Sequence, residues 1–206
     1  NQPESSYHGY AITDLYRVDA RLGSNEDYVR LSEVARKNGI GLIYDFVPNH
    51  IGSEHPWMKD LPTRDWINQG GEFSPTNHRR ESHQDPYASD FDKEQMIRGW
   101  FVPTMPDLNQ SNQLLSNYLI QNIIWWIETA DLSGVRVDTW PYNEREFLSS
   151  FTTRVLGEFP NFSIVGEEWT SNVATVSYWQ KGKVNADGYD SGAPQMMDFP
   201  MQQAIR

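Results

Sequence analysis

The chain has no cysteine, and several other features are scarce. Without thiols it can form neither a disulfide framework nor a thiolate zinc site. No run of about 18 apolar residues is present, which is the length that a membrane-spanning helix requires. Basic residues are few, because 17 Lys and Arg stand against 28 Asp and Glu, giving a formal net charge of −11. Such a chain repels nucleic acid and anionic membranes, so we expect neither as a partner. An uncharged polyol or a bound cation fits this charge better.

The remaining composition is that of a folded domain. Apolar residues make up 38% and charged residues 22% of the 206 positions. Aromatic residues reach 13%, with eight Trp, which suits a large core or the stacking of sugars on aromatic faces. The length is short for a complete (β/α)₈ barrel, which typically takes about 250 residues.

Helical and strand-like patterns alternate along the chain. Helices show apolar residues at a spacing near 3.6, and Ser24 or Asn25, and later Asn143, precede them as N-caps. The strands are short apolar runs of the kind that parallel sheets bury on both faces. The predicted helices cover about 25–38, 111–130 and 143–156, and the predicted strands cover 40–47, 134–138, 163–167 and, more weakly, 195–199. This alternation predicts an α/β fold with a parallel sheet.

The alternation fails between residues 48 and 109. That stretch is rich in Pro, His, Asn and Asp, and a structureless loop of this length is implausible in a compact domain. We therefore predict an inserted, loop-rich subdomain at 48–109, and a partial (β/α)₈ TIM barrel formed by 1–47 and 110–206. His78 and His83 lie in the insertion, where solvated loop histidines are a commoner arrangement than a metal site.

Polar side chains end three successive predicted strands. In parallel α/β barrels, sites form at the carboxyl ends of the strands. The residues at these ends are Asp45, Asn49 and His50, then Arg136 and Asp138, then Glu167. Several such residues on neighbouring strands are hard to explain by packing alone.

Two carboxylates on adjacent strands suit glycoside hydrolysis. Neighbouring strands lie about 4.8 Å apart, and retaining glycosidases hold their two carboxyl groups about 5–5.5 Å apart. Arg136 lies two residues before Asp138 and faces the same side, so it is expected to keep Asp138 ionised as a nucleophile. Glu167 would then be the acid, protonated at rest through a raised pKa.

Five segments, in order, carry a resemblance to a known family. Asp-Phe-Val-Pro-Asn-His at 45–50, Gly-Val-Arg-Val-Asp-Thr at 134–139 and Val-Gly-Glu-Glu-Trp at 165–169 resemble three signatures of the α-amylase family, glycoside hydrolase family 13. Met-Pro-Asp-Leu-Asn at 105–109 resembles its auxiliary signature in neopullulanases and cyclomaltodextrinases, and Tyr-His-Gly-Tyr at 7–10 is also similar to family members. The likeness spans nearly the whole chain and is closest to a periplasmic, starch-degrading, neopullulanase-like branch.

The resemblance assigns roles to the strand-end residues. It implies that Asp138 is the nucleophile and that Glu167, directly after Gly166, is the acid/base, although Glu168 is a rival by chemistry alone. Arg136 would support the nucleophile, His50 would hydrogen-bond the sugar and Tyr10 would stack on it. Substrate contacts are also expected at Asp45, Trp140 and Trp169. Asn49 is a calcium ligand in many relatives, so Ca²⁺ is the one cofactor expected. The implied activity is retaining hydrolysis of α-1,4 links in starch-type glucans, maltooligosaccharides, cyclodextrins or pullulan.

One departure from the family limits this expectation. The family uses a third carboxylate in an Asn-His-Asp segment, and no such segment occurs here. The resemblance covers about strands 3 to 6, so the isolated chain is expected to be inactive and to self-associate through open sheet edges. The alternatives are a transglycosylase, a sucrose- or trehalose-converting enzyme, and a non-catalytic glycan-binding barrel.

Overall fold

In the described part of the chain, four parallel strands form one sheet in the order in which they occur in the sequence. The computed structural model describes residues 1–4 and 6–206. The strands are β1 (Ile43–Phe46), β2 (Gly134–Val137), β3 (Ser163–Gly166) and β4 (Gln195–Met196), and each pairs in parallel with the next. The predicted parallel α/β fold is confirmed, with strands a few residues shorter than their apolar runs.

Within the described residues, six α-helices accompany the sheet: α1 (Asn25–Lys37), α2 (Asp90–Arg98), α3 (Gln113–Ala130), α4 (Arg145–Glu158), α5 (Val173–Tyr178) and α6 (Phe199–Ala204). Ser24 caps α1 by accepting from the Asp27 N–H, while the Asp27 carboxylate accepts from the Ser24 N–H. The prediction that Asn143 caps α4 is wrong, because the helix begins after Glu144. The amide of Asn143 instead donates to the carbonyls of Thr139 and Trp140, which closes the turn between β2 and α4.

The core lies between the sheet and the helices. Trp126 of α3 stacks on Tyr44 of β1 at 5.5 Å, and Phe151 of α4 packs against Phe46 at 5.7 Å. The expectation that every strand is buried on both faces is wrong for β1, where Ile43 is 60% exposed. Among the described residues β1 pairs only with β2, so its outer edge has no neighbour in the sheet.

The segment between β1 and α3 contains little regular structure. It holds α2, three 3₁₀ turns (Pro56–Met58, Asn68–Gly71 and Arg80–His83) and isolated bridges. The bridge His50–Asp107 joins its two ends, and the bridge Ile67–Leu108 joins its interior to its C-terminal end. Its buried side chains, such as Trp66 and Trp100, belong to the same hydrophobic cluster as the sheet. The division into a barrel and an inserted subdomain therefore stays a prediction. No helix in the described part of the chain is long and apolar enough to cross a membrane.

Candidate active site

Strand register brings the polar strand-end residues onto one face. Asp45 is paired with Arg136, and Val137 with Gly166. The ladder continues one residue further, since the Asp138 N–H donates to the Phe46 carbonyl at 2.8 Å and the Glu167 N–H to the Val137 carbonyl at 3.0 Å. Because side chains alternate along a strand, Asp45, Arg136, Asp138 and Glu167 share one face at its carboxyl end.

The guanidinium of Arg136 joins three carboxylates. Its Nη1 lies 2.6 Å from Asp45 Oδ1 and 2.6 Å from Asp138 Oδ1, and its Nη2 pairs with Glu167 Oε1. One cation therefore meets three potential anions, which favours a proton on this cluster. The two ends of a single guanidinium also hold the carboxyl groups of Asp138 and Glu167 close to each other.

The pKa of Asp138 differs from the sequence-based expectation. Burial raises it to about 7, Arg136 opposes this shift, and the nearby Glu167 adds to it. The expectation that Arg136 alone keeps Asp138 ionised is therefore not met, because desolvation outweighs the attraction. Near neutral pH the Asp138 carboxyl is therefore poised to hold a proton while Glu167 is charged beside it.

The two consecutive glutamates point in opposite directions. Glu167 faces Arg136, and its Oε2 accepts from the Thr139 N–H at 3.0 Å. Glu168 is fully buried on the other side, where Oε1 lies 3.1 Å from Arg80 Nε and Oε2 accepts from the Trp179 indole N–H at 3.1 Å. Only Glu167 therefore reaches Asp138, which removes the structural basis for Glu168 as the rival acid.

His50 and Tyr10 lie at the same end of the sheet. His50 is 2% exposed, burial lowers its pKa to about 4, and its Nε2 has no hydrogen-bond partner among the described residues. The Tyr10 hydroxyl donates to Asp45 Oδ2 at 3.0 Å, with its ring 6.0 Å from the Arg136 guanidinium. A neutral imidazole with a free nitrogen can hydrogen-bond a sugar hydroxyl.

The two tryptophans predicted to contact substrate behave differently. Trp140 is fully buried and packs against Gly166 and Phe151, so the prediction that it contacts sugar is wrong. Trp169 is 68% exposed, and one face of its ring stacks on Phe199 at 5.4 Å. It is placed where a substrate could meet it, two residues beyond Glu167.

Asn49 belongs to a buried polar cluster. Its amide donates to Asp107 Oδ1 at 3.0 Å, and the Asn68 amide donates to Asp107 Oδ2 at 2.8 Å. Burial raises the pKa of Asp107 well above its ordinary value. A carboxylate and two amides are ligand types that Ca²⁺ accepts. Here, however, the amides turn their N–H groups toward the carboxylate and satisfy it without a cation.

Of the two insertion histidines, His78 is exposed as expected from sequence, whereas His83 is not. His83 is buried, and its Nε2 lies 2.6 Å from the Pro141 carbonyl oxygen. His78 Nδ1 lies 3.0 Å from the Tyr142 hydroxyl. Each contacts the turn after β2, and within the described residues no group of three or more His, Asp or Glu side chains is arranged to hold a metal.

The sequence profile of the alpha amylase catalytic domain matches residues 1–189. The chain belongs to the α-amylase family. It is 29% identical over 223 aligned positions to a trehalose synthase/amylase of Mycobacterium tuberculosis, covering 96% of this chain and 36% of that protein. It is 28% identical over 207 positions to a cyclomaltodextrinase of Thermoanaerobacter pseudethanolicus, covering 97% and 32%. The crystal structure of an α-amylase from Geobacillus thermoleovorans, complexed with acarbose, superposes with a TM-score of 0.77 at 30% identity, covering all of this chain and 40% of that one. The chain thus spans about a third of the length of these relatives.

Membership of the α-amylase family confirms the predicted fold class and the resemblance. It does not by itself account for three groups that sequence reasoning missed: the Thr139 N–H beside Glu167, and Arg80 and Trp179 around Glu168. Thr139 lies within a quoted signature, but its role is played by the backbone and has no residue signal. Arg80 is far from Glu168 along the chain, and nothing in the local sequence marks it as a partner.

Proposed function

We propose that this α-amylase family protein is a retaining glycoside hydrolase that cleaves α-1,4 links of starch-type glucans. Asp138 is the nucleophile and Glu167 the acid/base. The observation that carries the proposal is the Arg136 guanidinium, which holds both carboxyl groups at the end of adjacent parallel strands. Adjacent strands supply the short separation, about 5–5.5 Å, that retention of configuration requires.

The chemistry requires a proton on Glu167 and a charge on Asp138. With Glu167 protonated, the repulsion that raises the pKa of Asp138 is relieved, and Arg136 stabilises the Asp138 carboxylate. Asp138 then attacks the anomeric carbon, while Glu167 gives its proton to the departing glycosidic oxygen. In the second step Glu167 takes a proton from water, whose oxygen displaces Asp138 from the same carbon. We expect the Arg136–Glu167 contact to loosen when Glu167 becomes protonated.

Three further side chains suit substrate binding. The Nε2 of neutral His50 is buried without a partner and would offer a hydrogen bond to a ligand once a side-chain movement exposes it, and Tyr10 presents a ring held by Asp45. Trp169, two residues beyond Glu167 in the chain, offers its uncovered ring face to a pyranose ring. Buried polar atoms without a partner are costly, so ligand hydroxyls that satisfy His50 would bind with a gain.

The direct test replaces Asp138 with Asn in the natural, full-length protein and measures release of reducing ends from maltoheptaose. Hydrolysis should fall below detection, because an amide cannot form the glycosyl ester. Asp60→Asn, an exposed aspartate, is the matched control and should turn over like the unmodified protein. Undiminished hydrolysis by the Asp138→Asn variant would exclude Asp138 as the nucleophile.

A trehalose-converting activity is the second candidate. The relative named trehalose synthase/amylase matches 96% of the chain at an identity similar to that of the cyclomaltodextrinase. The same pair of carboxylates would serve, and the two activities differ in whether water or a sugar accepts the glycosyl group. Product analysis with maltose as substrate separates them, since isomerisation yields trehalose and hydrolysis yields glucose.

Calcium at Asn49 remains a proposal that rests on ligand chemistry alone. Asp107, Asn49 and Asn68 would hold the ion after the amides turn their oxygens toward it, and the ion would neutralise a buried carboxylate. Calcium should then raise the melting temperature, and Asp107→Asn should abolish that increase. A melting temperature indifferent to calcium and to chelators would reject the site.

Self-association is proposed for the 206-residue chain on the strength of β1. Its outer edge is unpaired within the described residues, and a cleft of about 540 Å³ opens beside it, lined by Tyr44, Tyr28 and Leu31 among others. An unpaired strand edge beside apolar surface favours pairing with a second copy. A monodisperse monomer by light scattering at micromolar concentration would contradict this. The chain alone is expected to lack hydrolytic activity.

A further inference from the structure

A fully buried carboxylate follows the proposed acid/base directly in the chain. Glu168 has no exposed surface, and it is reached by the indole N–H of Trp179 and by Arg80. Arg80 belongs to the 3₁₀ turn Arg80–His83, far from β3 in sequence, and its side chain is 27% exposed. When ionised, above its pKa, this carboxylate requires a partner, because removal of the partner leaves the charge desolvated and unpaired.

The contact between Arg80 and Glu168 is coulombic in character. Arg80 Nε lies 3.1 Å from Glu168 Oε1, which is within ion-pair distance. Neither atom makes an aligned hydrogen bond, however, because the N–H is not directed at the oxygen. The position of Glu168 therefore depends on the charge of Arg80 and on the one hydrogen bond from Trp179.

The same stretch that provides Arg80 also holds the turn after β2. His83 contacts the Pro141 carbonyl oxygen at 2.6 Å, and His78 contacts the Tyr142 hydroxyl at 3.0 Å. The turn begins at Thr139, whose N–H donates to Glu167 Oε2. Residues 78–83 thus act on Glu167 from two sides, through the adjacent Glu168 and through the turn that donates to its carboxyl group.

We propose that Arg80 and Glu168 are positioning residues that hold Glu167 in place for proton transfer. The pair anchors the peptide that joins Glu167 to Glu168, while the Trp140 N–H fixes the Glu167 carbonyl at 3.0 Å. The inference rests on the proposed role of Glu167 as acid/base. It adds that a residue of the 48–109 segment, which touches neither Asp138 nor Arg136, controls the geometry of that acid.

The test uses Arg80→Met, Glu168→Gln and the double variant, with Arg79→Met as the matched control. Arg79 precedes Arg80, is 65% exposed and, among the described residues, forms an ion pair with Asp92 alone. The first readout is the backbone amide signal of Thr139 and its hydrogen exchange, together with the indole signal of Trp179. The second is kcat and KM on maltoheptaose in the natural, full-length protein.

Arg80→Met leaves Glu168 unpaired, so the Thr139 and Trp179 signals should move and the Thr139 amide should exchange faster. Small misplacements of catalytic groups cost about 10²-fold in rate, so kcat should fall by that order while KM changes little. The double variant replaces the charged pair by a neutral one that keeps the Trp179 hydrogen bond, and should recover most of both readouts. Arg79→Met should match the unmodified protein in each.

Either of two outcomes would overturn the proposal. One is an Arg80→Met variant that folds but leaves the Thr139 signals unchanged. The other is a double variant that is as impaired as Arg80→Met. Should Arg80→Met not fold, Glu168→Gln takes its place, because it removes the attraction without leaving a buried charge unpaired. Its Thr139 signal is then expected to move, and an unmoved signal would overturn the proposal equally. If the unmodified protein does not turn over any glucan, that result would count against the proposed function. The Thr139 amide signals would still test whether Arg80 and Glu168 hold Glu167 in place.

Discussion

Replacement of Glu168 by Gln should remove about 3 kcal/mol of pH dependence from the free energy of unfolding. Burial raises the pKa of Glu168 from 4.5 to about 7, although Arg80 and the Trp179 N–H both oppose the rise. The two values differ by about 2.5 pKa units, and each unit corresponds to about 1.4 kcal/mol. The side chain is fully buried, so solvent screening gives little reason to reduce this figure.

The sign follows from where the proton is held. Between pH 4.5 and about 7 the folded protein keeps a proton on Glu168 that the unfolded chain has already lost. Stability must then fall as the pH rises through this range, since the unfolded state binds fewer protons. A glutamine side chain cannot titrate, so the Glu168→Gln variant lacks this loss.

The assay is urea unfolding followed by tryptophan fluorescence at several pH values from 4 to 8. The stability of the variant relative to the unmodified protein should increase by about 3 kcal/mol across the series. The pKa values of Asp107 and Asp138 are also raised, but these residues are present in both proteins and largely cancel in the difference. Glu146→Gln, at an exposed position of α4, is the control and should leave the pH dependence unchanged. Parallel curves for the Glu168→Gln variant and the unmodified protein would refute the reasoning.

Two further predictions concern stability and use the same urea assay. Gly166→Ala should cost about 1–3 kcal/mol, because the new Cβ would lie 2.8 Å from the Trp140 ring; no loss would mean that Trp140 can move aside. Gly157→Ala is its control, since a Cβ there meets nothing within 4 Å inside α4, and it should stabilise by about 0.5–1 kcal/mol. Asn112→Ala should cost about 1 kcal/mol, because Asn112 accepts from the first N–H groups of α3; an unchanged urea midpoint would show that water replaces the cap.

Local chemistry made the strands and the helices α1, α3 and α4 predictable, whereas α2, α5 and α6 were not predicted. The reciprocal bonds of Ser24 and Asp27 at the start of α1 are a pattern that the sequence displays directly. The same holds for the apolar periodicity of α3, which is buried along most of its length. Asn143 was misread because an Asn before a helix can also close the preceding turn, and which of the two occurs depends on neighbours that are distant in sequence.

Contacts between segments that are distant in sequence determine the burial of side chains that the sequence alone could not predict. Trp140 lies near the strand ends, where sugar contact is plausible, yet its turn folds it under Gly166 and into the core. His83 looks like a loop histidine, but residues 80–83 pack on the turn after β2 and bury it. In both cases the local pattern allows either outcome, and the packing partner decides between them.

The choice between Glu167 and Glu168 shows how much can be predicted from the alternation of side chains between the two faces of a strand. Arg136 and Asp138 are two residues apart and face one side, and the pairing of Val137 with Gly166 puts Glu167 level with Asp138. Glu168, one residue later, must face the opposite side. Given the register, the acid/base would follow without any family pattern, but register is itself a tertiary fact. Alternation also leaves unknown what meets Glu168 behind the sheet. That partner, Arg80, is one of the two routes by which the 48–109 segment reaches the proposed acid.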